Sequence, residues 1–128
     1  MKRRGVIDWQ EAGDVKKDLL HLIKASEIDW VDPKKIFTYR STDANTRAYA
    51  RIWGLSRIWQ KALEVKPSYI LEVISEKYDK LSIREKYKVL LHELTHIPKN
   101  FSGALVPHIR HGKGNFYTKV NNLIKKLG

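Results

Sequence analysis

The feature that most constrains this chain is an apolar run followed closely by a capped amphipathic helix with a fixed end. The run YILEVI, Tyr69–Ile74, is rich in β-branched and apolar residues, so it predicts a strand. Ser82 and Glu85 form an S-x-x-E capping box, which predicts that a helix begins at this point. Proline removes a backbone donor and clashes with the preceding turn, so we expect Pro98 to end this helix after Ile97.

The other segments predict further strands and two flanking helices. Patterns typical of regular structure occur in five segments: Trp9–Ala25 (helix, with Asp8 as N-cap and Glu11 completing a capping box), Ile36–Arg40 (strand), Ala48–Trp53 (strand), Arg57–Leu63 (strand or short helix) and Asn115–Leu127 (amphipathic helix). This order predicts an α+β fold with a small, mainly antiparallel sheet. At 128 residues, we expect residues 1–128 to form a single domain.

Composition excludes several classes of protein. The chain has no cysteine, which excludes a disulfide scaffold, a cysteine-ligated zinc finger and a thiol nucleophile. The N-terminal MKRRGVIDWQ has no apolar segment of the kind found in secretory signals. No stretch approaches the roughly 18 apolar residues needed to cross a bilayer. We therefore expect a soluble, cytoplasmic protein with no membrane partner.

The second helix contains the sequence HELTH, which matches the H-E-x-x-H pattern. At about 3.6 residues per turn, His92 and His96 project from one side of a helix, so two imidazole nitrogens can reach one zinc ion. Glu93 lies about 100° around the helix, beside the metal, where it can take a proton from a zinc-bound water and pass it to a leaving amine. The apolar residues recur on another side of this helix: Ile83, Tyr87, Leu90, Leu94 and Ile97. The pattern predicts a zinc-dependent peptidase with Glu93 as general base.

A catalytic zinc ion takes three protein ligands, so one more ligand is needed. No Asp or Glu follows Glu93, and the position six residues after His96 is Ser102, which leaves His108 and His111 as downstream candidates. We favour His108, because it follows Pro107 and an apolar segment that can anchor it. His111 lies in the basic, glycine-containing sequence RHGKGN and remains the alternative third ligand.

The formal net charge of +11 suggests a second class of function. Residues 94–128 contain six Lys or Arg and no acidic residue, and lysine and arginine favour polyanionic partners because they release condensed counterions. The alternative hypothesis is therefore a basic nucleic-acid-binding protein with structural or vestigial zinc. Trp53 and Trp59, interleaved with Arg51 and Arg57, could stack on bases. We favour core packing or cross-strand pairing for these two tryptophans.

The stretch Tyr69–His108 resembles a family of phage and archaeal metallopeptidases, which are small zincins with an HELxHIP signature. The resemblance rests on HELTHIP, the following FSG and the later PH, which occur in one order. It is similar, more distantly, to SprT-like minimal zincin domains. The resemblance implies a minimal zincin fold, Zn²⁺ held by His92, His96 and a downstream histidine, and a polypeptide substrate. In SprT-like domains the third histidine often precedes a glycine, as His111 does here, so both candidates stay open. The SprT-like resemblance also allows a protease that acts on DNA-bound proteins.

Overall fold

The computed structural model describes residues 5–107 together with residues 122, 124 and 125. Within residues 5–107 the chain forms four strands and four α-helices: β1 (Asp8–Glu11), α1 (Gly13–Ala25), β2 (Ile36–Thr42), β3 (Ala50–Gly54), α2 (Arg57–Leu63), β4 (Tyr69–Ile74), α3 (Ser75–Tyr78) and α4 (Ile83–Leu94). A 3₁₀ turn, Pro33–Lys35, leads into β2. Of the C-terminal helix expected at residues 115–127, only 122, 124 and 125 are described, and all three are helical.

The strands form one mixed sheet in the order β1-β2-β4-β3. The strands β2 and β4 run parallel, whereas the pairs β1–β2 and β3–β4 are antiparallel. Two of the three pairings are thus antiparallel, and the expected α+β fold with a small sheet is confirmed. The strand β4 has the bounds predicted from the sequence, Tyr69–Ile74, and lies inside the sheet.

The core lies between one face of the sheet and the helices α1 and α4. Side chains alternate between the two faces of a strand, so Ile36, Leu71 and Ala50 point to the same, inner face. The buried apolar residues of the helices complete this core: Val15, Leu19, Leu22, Ile23, Leu90, Leu91 and Leu94. Ile124 also packs against the core, partly buried. The inner face of the sheet therefore packs against α4, the helix in which the H-E-x-x-H sequence begins.

The prediction of a first helix from Trp9 to Ala25 is wrong at its beginning. Residues 8–11 form the edge strand β1, and the helix begins at Gly13 after Ala12, which caps it without a side-chain hydrogen bond. The antiparallel pairing of Trp9 with Ser41 supplies backbone partners that an isolated helical turn would not have. Long-range pairing thus overrides a local capping pattern.

The prediction for the second helix is correct at its start and three residues too long at its end. The capping box is present, with the Ser82 hydroxyl accepting a hydrogen bond from the backbone N–H of Glu85 (3.2 Å). Regular α-helix ends at Leu94, and Ile83, expected in the apolar stripe, is 57% exposed. Pro98 explains the early end, because its ring disfavours a regular turn before it.

The two tryptophans expected to pack in a core are exposed. Trp53 lies on the outer face of β3, where it pairs across the strands with Ile70, and Trp59 lies on the short helix α2. Cross-strand pairing is therefore confirmed for Trp53, and core packing is wrong for both residues. No helix among the described residues has the length and apolar character to cross a membrane.

Candidate metal centre

The H-E-x-x-H residues lie in the last turn of α4 and the turn that follows it, and they come close together. The atoms of His92, Glu93 and His96 that could bind a metal ion all lie within 4.8 Å of one another. The imidazole centroids of His92 and His96 are 5.4 Å apart, with their planes inclined by 69°. All three side chains are half-buried, so they are held by the fold and yet can be reached from solvent. The structure thus brings together the three residues that the spacing singled out.

His96 occupies a tightened turn after α4. Its backbone N–H donates to the carbonyl of Glu93 (3.1 Å), and that of Ile97 donates to the carbonyl of Leu94 (3.1 Å), so these bonds span three residues instead of four. Such a turn is a common way for a helix to end. His96 therefore does not lie on a regular α-helical turn. Its ring nevertheless lies close to that of His92.

A loop that returns from Pro98 fixes the orientation of His96. The imidazole Nδ1 of His96 lies 2.7 Å from the carbonyl oxygen of Val106, and the backbone N–H of Val106 donates to the carbonyl of His96 (2.7 Å). A carbonyl oxygen can only accept, so Nδ1 carries the proton, and in the neutral imidazole the lone pair is then on Nε2. Metal-binding histidines commonly have such a partner on the other ring nitrogen.

Tyr69 and Gly103 hold this loop against the sheet. The buried backbone N–H of Gly103 donates to the Tyr69 hydroxyl (2.8 Å), which donates to the carbonyl of Ala104 (2.7 Å). Gly103 has φ +97°, and a Cβ there would lie 2.2 Å from the carbonyl oxygen of Leu55. Only glycine fits this position, because both the backbone conformation and the space exclude a side chain. The glycine that permits a reversal in the sequence FSG therefore seats the loop that orients His96.

Burial raises the pKa of Glu93 to about 7. A carboxylate loses hydration when it is buried, which disfavours its charged form. A divalent cation beside Glu93 would offset this effect, since the positive charge favours the carboxylate. Glu93 is thus a group whose proton affinity depends on what is bound next to it.

A cleft of about 270 Å³ opens beside His92 and Glu93. Its other walls are Tyr49, which precedes β3, Ala50, the first residue of β3, and Lys88 and Val89, one turn earlier on α4. Sequence reasoning missed these residues as parts of a site. Lys88 stands four residues before His92, so helical spacing could have placed it on the histidine side. No local signal could have identified Tyr49, because the sheet alone brings it there.

The two candidates for a third ligand, His108 and His111, lie outside the described residues. The described chain around this point runs to Pro107, and Val106 is in direct contact with His96. The residues present suit a divalent metal ion, because His92 and His96 offer two imidazole nitrogens with the Glu93 carboxylate close by, and the His96 imidazole is already oriented through its Nδ1.

A half-buried H-E-x-x-H group at the end of a helix, beside an open cleft, is the arrangement that the motif predicts for a metal centre. The comparison with known families agrees. The chain matches the family described as "Putative phage metallopeptidase" over residues 7–127. The match spans nearly the whole sequence, and the chain belongs to this family. No curated protein and no solved structure matched the chain in the corresponding searches.

Proposed function

We propose that this protein is a zinc-dependent metallopeptidase that hydrolyses peptide bonds with Glu93 as general base. The observation that carries the proposal is the convergence of His92, Glu93 and His96 within 4.8 Å beside an open cleft. Family membership supports peptidase activity and a polypeptide substrate. The choice of zinc rests on the two imidazoles, since calcium and magnesium prefer oxygen ligands.

We assign the metal ligands to His92, His96 and His108, with His111 as the alternative third ligand. The support for His108 is its short tether. Val106 is bonded to His96 through both its carbonyl and its N–H, and His108 follows two residues later, within about 8 Å of chain. A longer tether to His111 restricts its position less. Either histidine would leave one coordination position for water, as a catalytic zinc site requires.

Glu93 performs the proton transfers in this mechanism. When bound, zinc supplies a Lewis acid that polarises the scissile carbonyl and lowers the pKa of water. Glu93, adjacent to His92 and facing the cleft, accepts a proton from the attacking water at a carboxylate oxygen and delivers it to the leaving amine nitrogen. The carboxylate of Glu93 lies within 4.8 Å of the candidate ligand nitrogens of His92 and His96, which is close enough for this role.

The substrate is proposed to lie along β3. The strand β4 lies inside the sheet, whereas β3 is an edge strand, and its first residue, Ala50, lines the cleft. An extended peptide can pair with such an edge through backbone hydrogen bonds. The cleft between Tyr49 and Lys88 then receives a side chain next to the scissile bond. Lys88 gives this subsite a positive charge, so we propose a preference for an acidic side chain.

Two measurements test this proposal. Metal content of the purified full chain is expected at one zinc per protein in the wild type and near zero for one of the variants His108→Ala and His111→Ala, which identifies the third ligand. Glu93→Gln is expected to retain one zinc and to lose hydrolysis of an unstructured protein such as casein, by a factor of about 10² or more. Full hydrolytic activity of a zinc-loaded Glu93→Gln protein would show the mechanism to be wrong.

A further inference from the structure

The outer face of the sheet, opposite α1 and α4, carries a second cavity that the peptidase site does not use. Its volume is about 490 Å³, and it is lined by Trp9, Tyr39, Trp53, Ile70 and Glu72. These residues come from all four strands, so the cavity depends on the assembled sheet. We call this surface, together with Phe37 beside Ile70, the aromatic face.

The aromatic face is exposed, which is unusual for so many large rings. Trp9 is 52% exposed, Phe37 49%, Trp53 48% and Ile70 40%. Phe37, Ile70 and Trp53 are paired directly across β2, β4 and β3, so they form one continuous row. Contiguous exposed apolar patches rimmed by polar residues often mark binding sites on proteins.

A buried carboxylate holds the two indole rings in place. Glu72 is fully buried, and it accepts hydrogen bonds from Nε1 of Trp53 (2.8 Å) and from Nε1 of Trp9 (3.2 Å). Arg51 donates two further bonds to the same carboxylate, at 2.7 and 3.2 Å. The polar edge of each indole is therefore directed inward and satisfied, and the exposed parts of the rings are apolar. Rings that are fixed before binding lose little entropy when a ligand stacks on them.

The chemistry of this cavity favours a planar aromatic ligand over an organic cation. Aromatic cavities with a carboxylate can bind ammonium groups, but here Arg51 already neutralises Glu72. The Arg51 guanidinium also lies 5.2 Å from the centroid of the Trp53 ring, so it already makes the cation–π contact on that ring. A second cation would be repelled by Arg51. A nucleobase has no such conflict, because it stacks on a ring face without carrying charge.

Basic residues stand at the end of the sheet where the exposed row lies. The strands β2 and β4 are parallel and begin at this end, and the antiparallel β3 finishes there. Lys34 precedes β2, Lys66 precedes β4 and Arg57 follows β3, and all three are exposed. With the net charge of +11, these residues can contact phosphates that flank stacked bases. The same charge opposes the face-to-face association of two copies.

We propose that the aromatic face binds single-stranded nucleic acid, with bases stacked on Trp53, Phe37 and Trp9 and phosphates contacted by the basic residues at the adjoining sheet end. Duplex DNA keeps its bases stacked internally and offers no free ring face, so a single strand is the expected ligand. This site lies on the face of the sheet opposite the core that supports α4. It shares no lining residue with the cleft beside the metal centre, so the proposal can be tested without peptidase activity.

Fluorescence anisotropy of the full chain with a labelled 15-nucleotide oligo-dT tests the proposal, with a 15-bp duplex as a second probe. The variants are Trp53→Ala and Phe37→Ala. Phe37 is exposed and carries no polar side-chain atom, so its removal leaves the hydrogen bonds to Glu72 intact. Trp59→Ala, at an exposed tryptophan (58%) on α2, is the matched control. Thermal unfolding of each variant verifies its fold.

The wild type is expected to bind the single strand more tightly than the duplex, with affinity that falls as salt rises. Trp53→Ala and Phe37→Ala are each expected to weaken single-strand binding by about tenfold, the range typical of one lost stacking contact, while Trp59→Ala stays within about twofold. Equal binding of both probes, or equal losses in all three variants, would show that electrostatic attraction alone accounts for binding and would overturn the proposal. No binding at low salt would overturn it as well.

The same variants test two other possible occupants of the aromatic face, a membrane surface and a second copy of this chain. Binding to anionic phosphatidylglycerol vesicles that Phe37→Ala abolishes, without single-strand binding, would assign the face to a membrane surface and refute the proposal. A dimer in sedimentation that Phe37→Ala converts to monomer would assign it to a second copy of this chain and refute it equally.

Discussion

Replacing Tyr69 by phenylalanine isolates the contribution of one hydroxyl group to the metal site. This hydroxyl accepts from the N–H of Gly103 and donates to the carbonyl of Ala104. The Gly103 N–H is buried, so its loss of a partner costs about 2 kcal/mol, whereas the carbonyl of the exposed Ala104 can bond to water. We therefore expect Tyr69→Phe to lower the free energy of unfolding by about 2 kcal/mol, which is about a 30-fold change in the folding equilibrium.

The second expected effect of Tyr69→Phe is on metal affinity. The loop that Tyr69 anchors presents the Val106 carbonyl to Nδ1 of His96, and loss of such a supporting contact typically weakens metal binding by about 10- to 100-fold. Urea unfolding of the metal-free protein measures the first effect, with a midpoint expected to fall by about 1 M. Competition with a chromogenic zinc chelator measures the second.

Tyr39→Phe is the matched control, because Tyr39 lies on the same sheet but lines the cavity on its outer face. We expect this control to leave zinc affinity unchanged. If Tyr69→Phe destabilises the fold while zinc affinity also stays at the wild-type value, the loop does not position His96, and the reasoning from Val106 to the metal site is refuted.

Three further predictions follow from particular contacts. Gly103→Ala is expected to lower the midpoint of thermal unfolding and to weaken zinc binding, because its Cβ would meet the carbonyl of Leu55 at 2.2 Å. Lys88→Glu is expected to reverse the preference for acidic over basic side chains in a peptide library cleaved by the enzyme, and an unchanged cleavage profile would exclude Lys88 from the subsite. Burial raises the pKa of Glu72, but hydrogen bonds from Arg51 and other donors outweigh this, so the pKa lies below its usual value of 4.5. The ionised Glu72 therefore stabilises the fold above pH 4.5, and this stabilisation is lost as the pH falls below that value. Urea unfolding of the wild type and of Glu72→Gln should show a difference in stability that shrinks between pH 7 and pH 3.

The sequence predicted those elements whose determinants are local. The capping box of Ser82 and Glu85 defines the start of α4, and the apolar run defines β4, because each pattern is stabilised within a few residues of chain. The same local reasoning failed for β1. There a capping pattern predicted a helix, and the pairing of Trp9 with Ser41, 32 residues away, decides the conformation.

The candidate site also has features that the sequence predicts and features that only the folded chain provides. Helical spacing alone places His92, Glu93 and His96 together, and the structure keeps them within 4.8 Å although α4 ends before His96. The partner of His96 could not be predicted, because the Val106 carbonyl reaches Nδ1 only through the reversal at Gly103. No spacing rule relates residues 96 and 106 when a loop of irregular backbone separates them.

By itself, the sequence determined the chemistry that this protein can offer: two imidazoles and a carboxylate on one helical turn, and an excess of positive charge. Tertiary structure alone decided what surrounds that chemistry. It placed Tyr49 in the same cleft as Glu93, gave Nδ1 of His96 the carbonyl oxygen of Val106 as a partner and assembled an aromatic face from four strands. The physical reason is range, since helix periodicity and capping act over a few residues, whereas a cleft or a sheet face is formed by residues that only folding brings together.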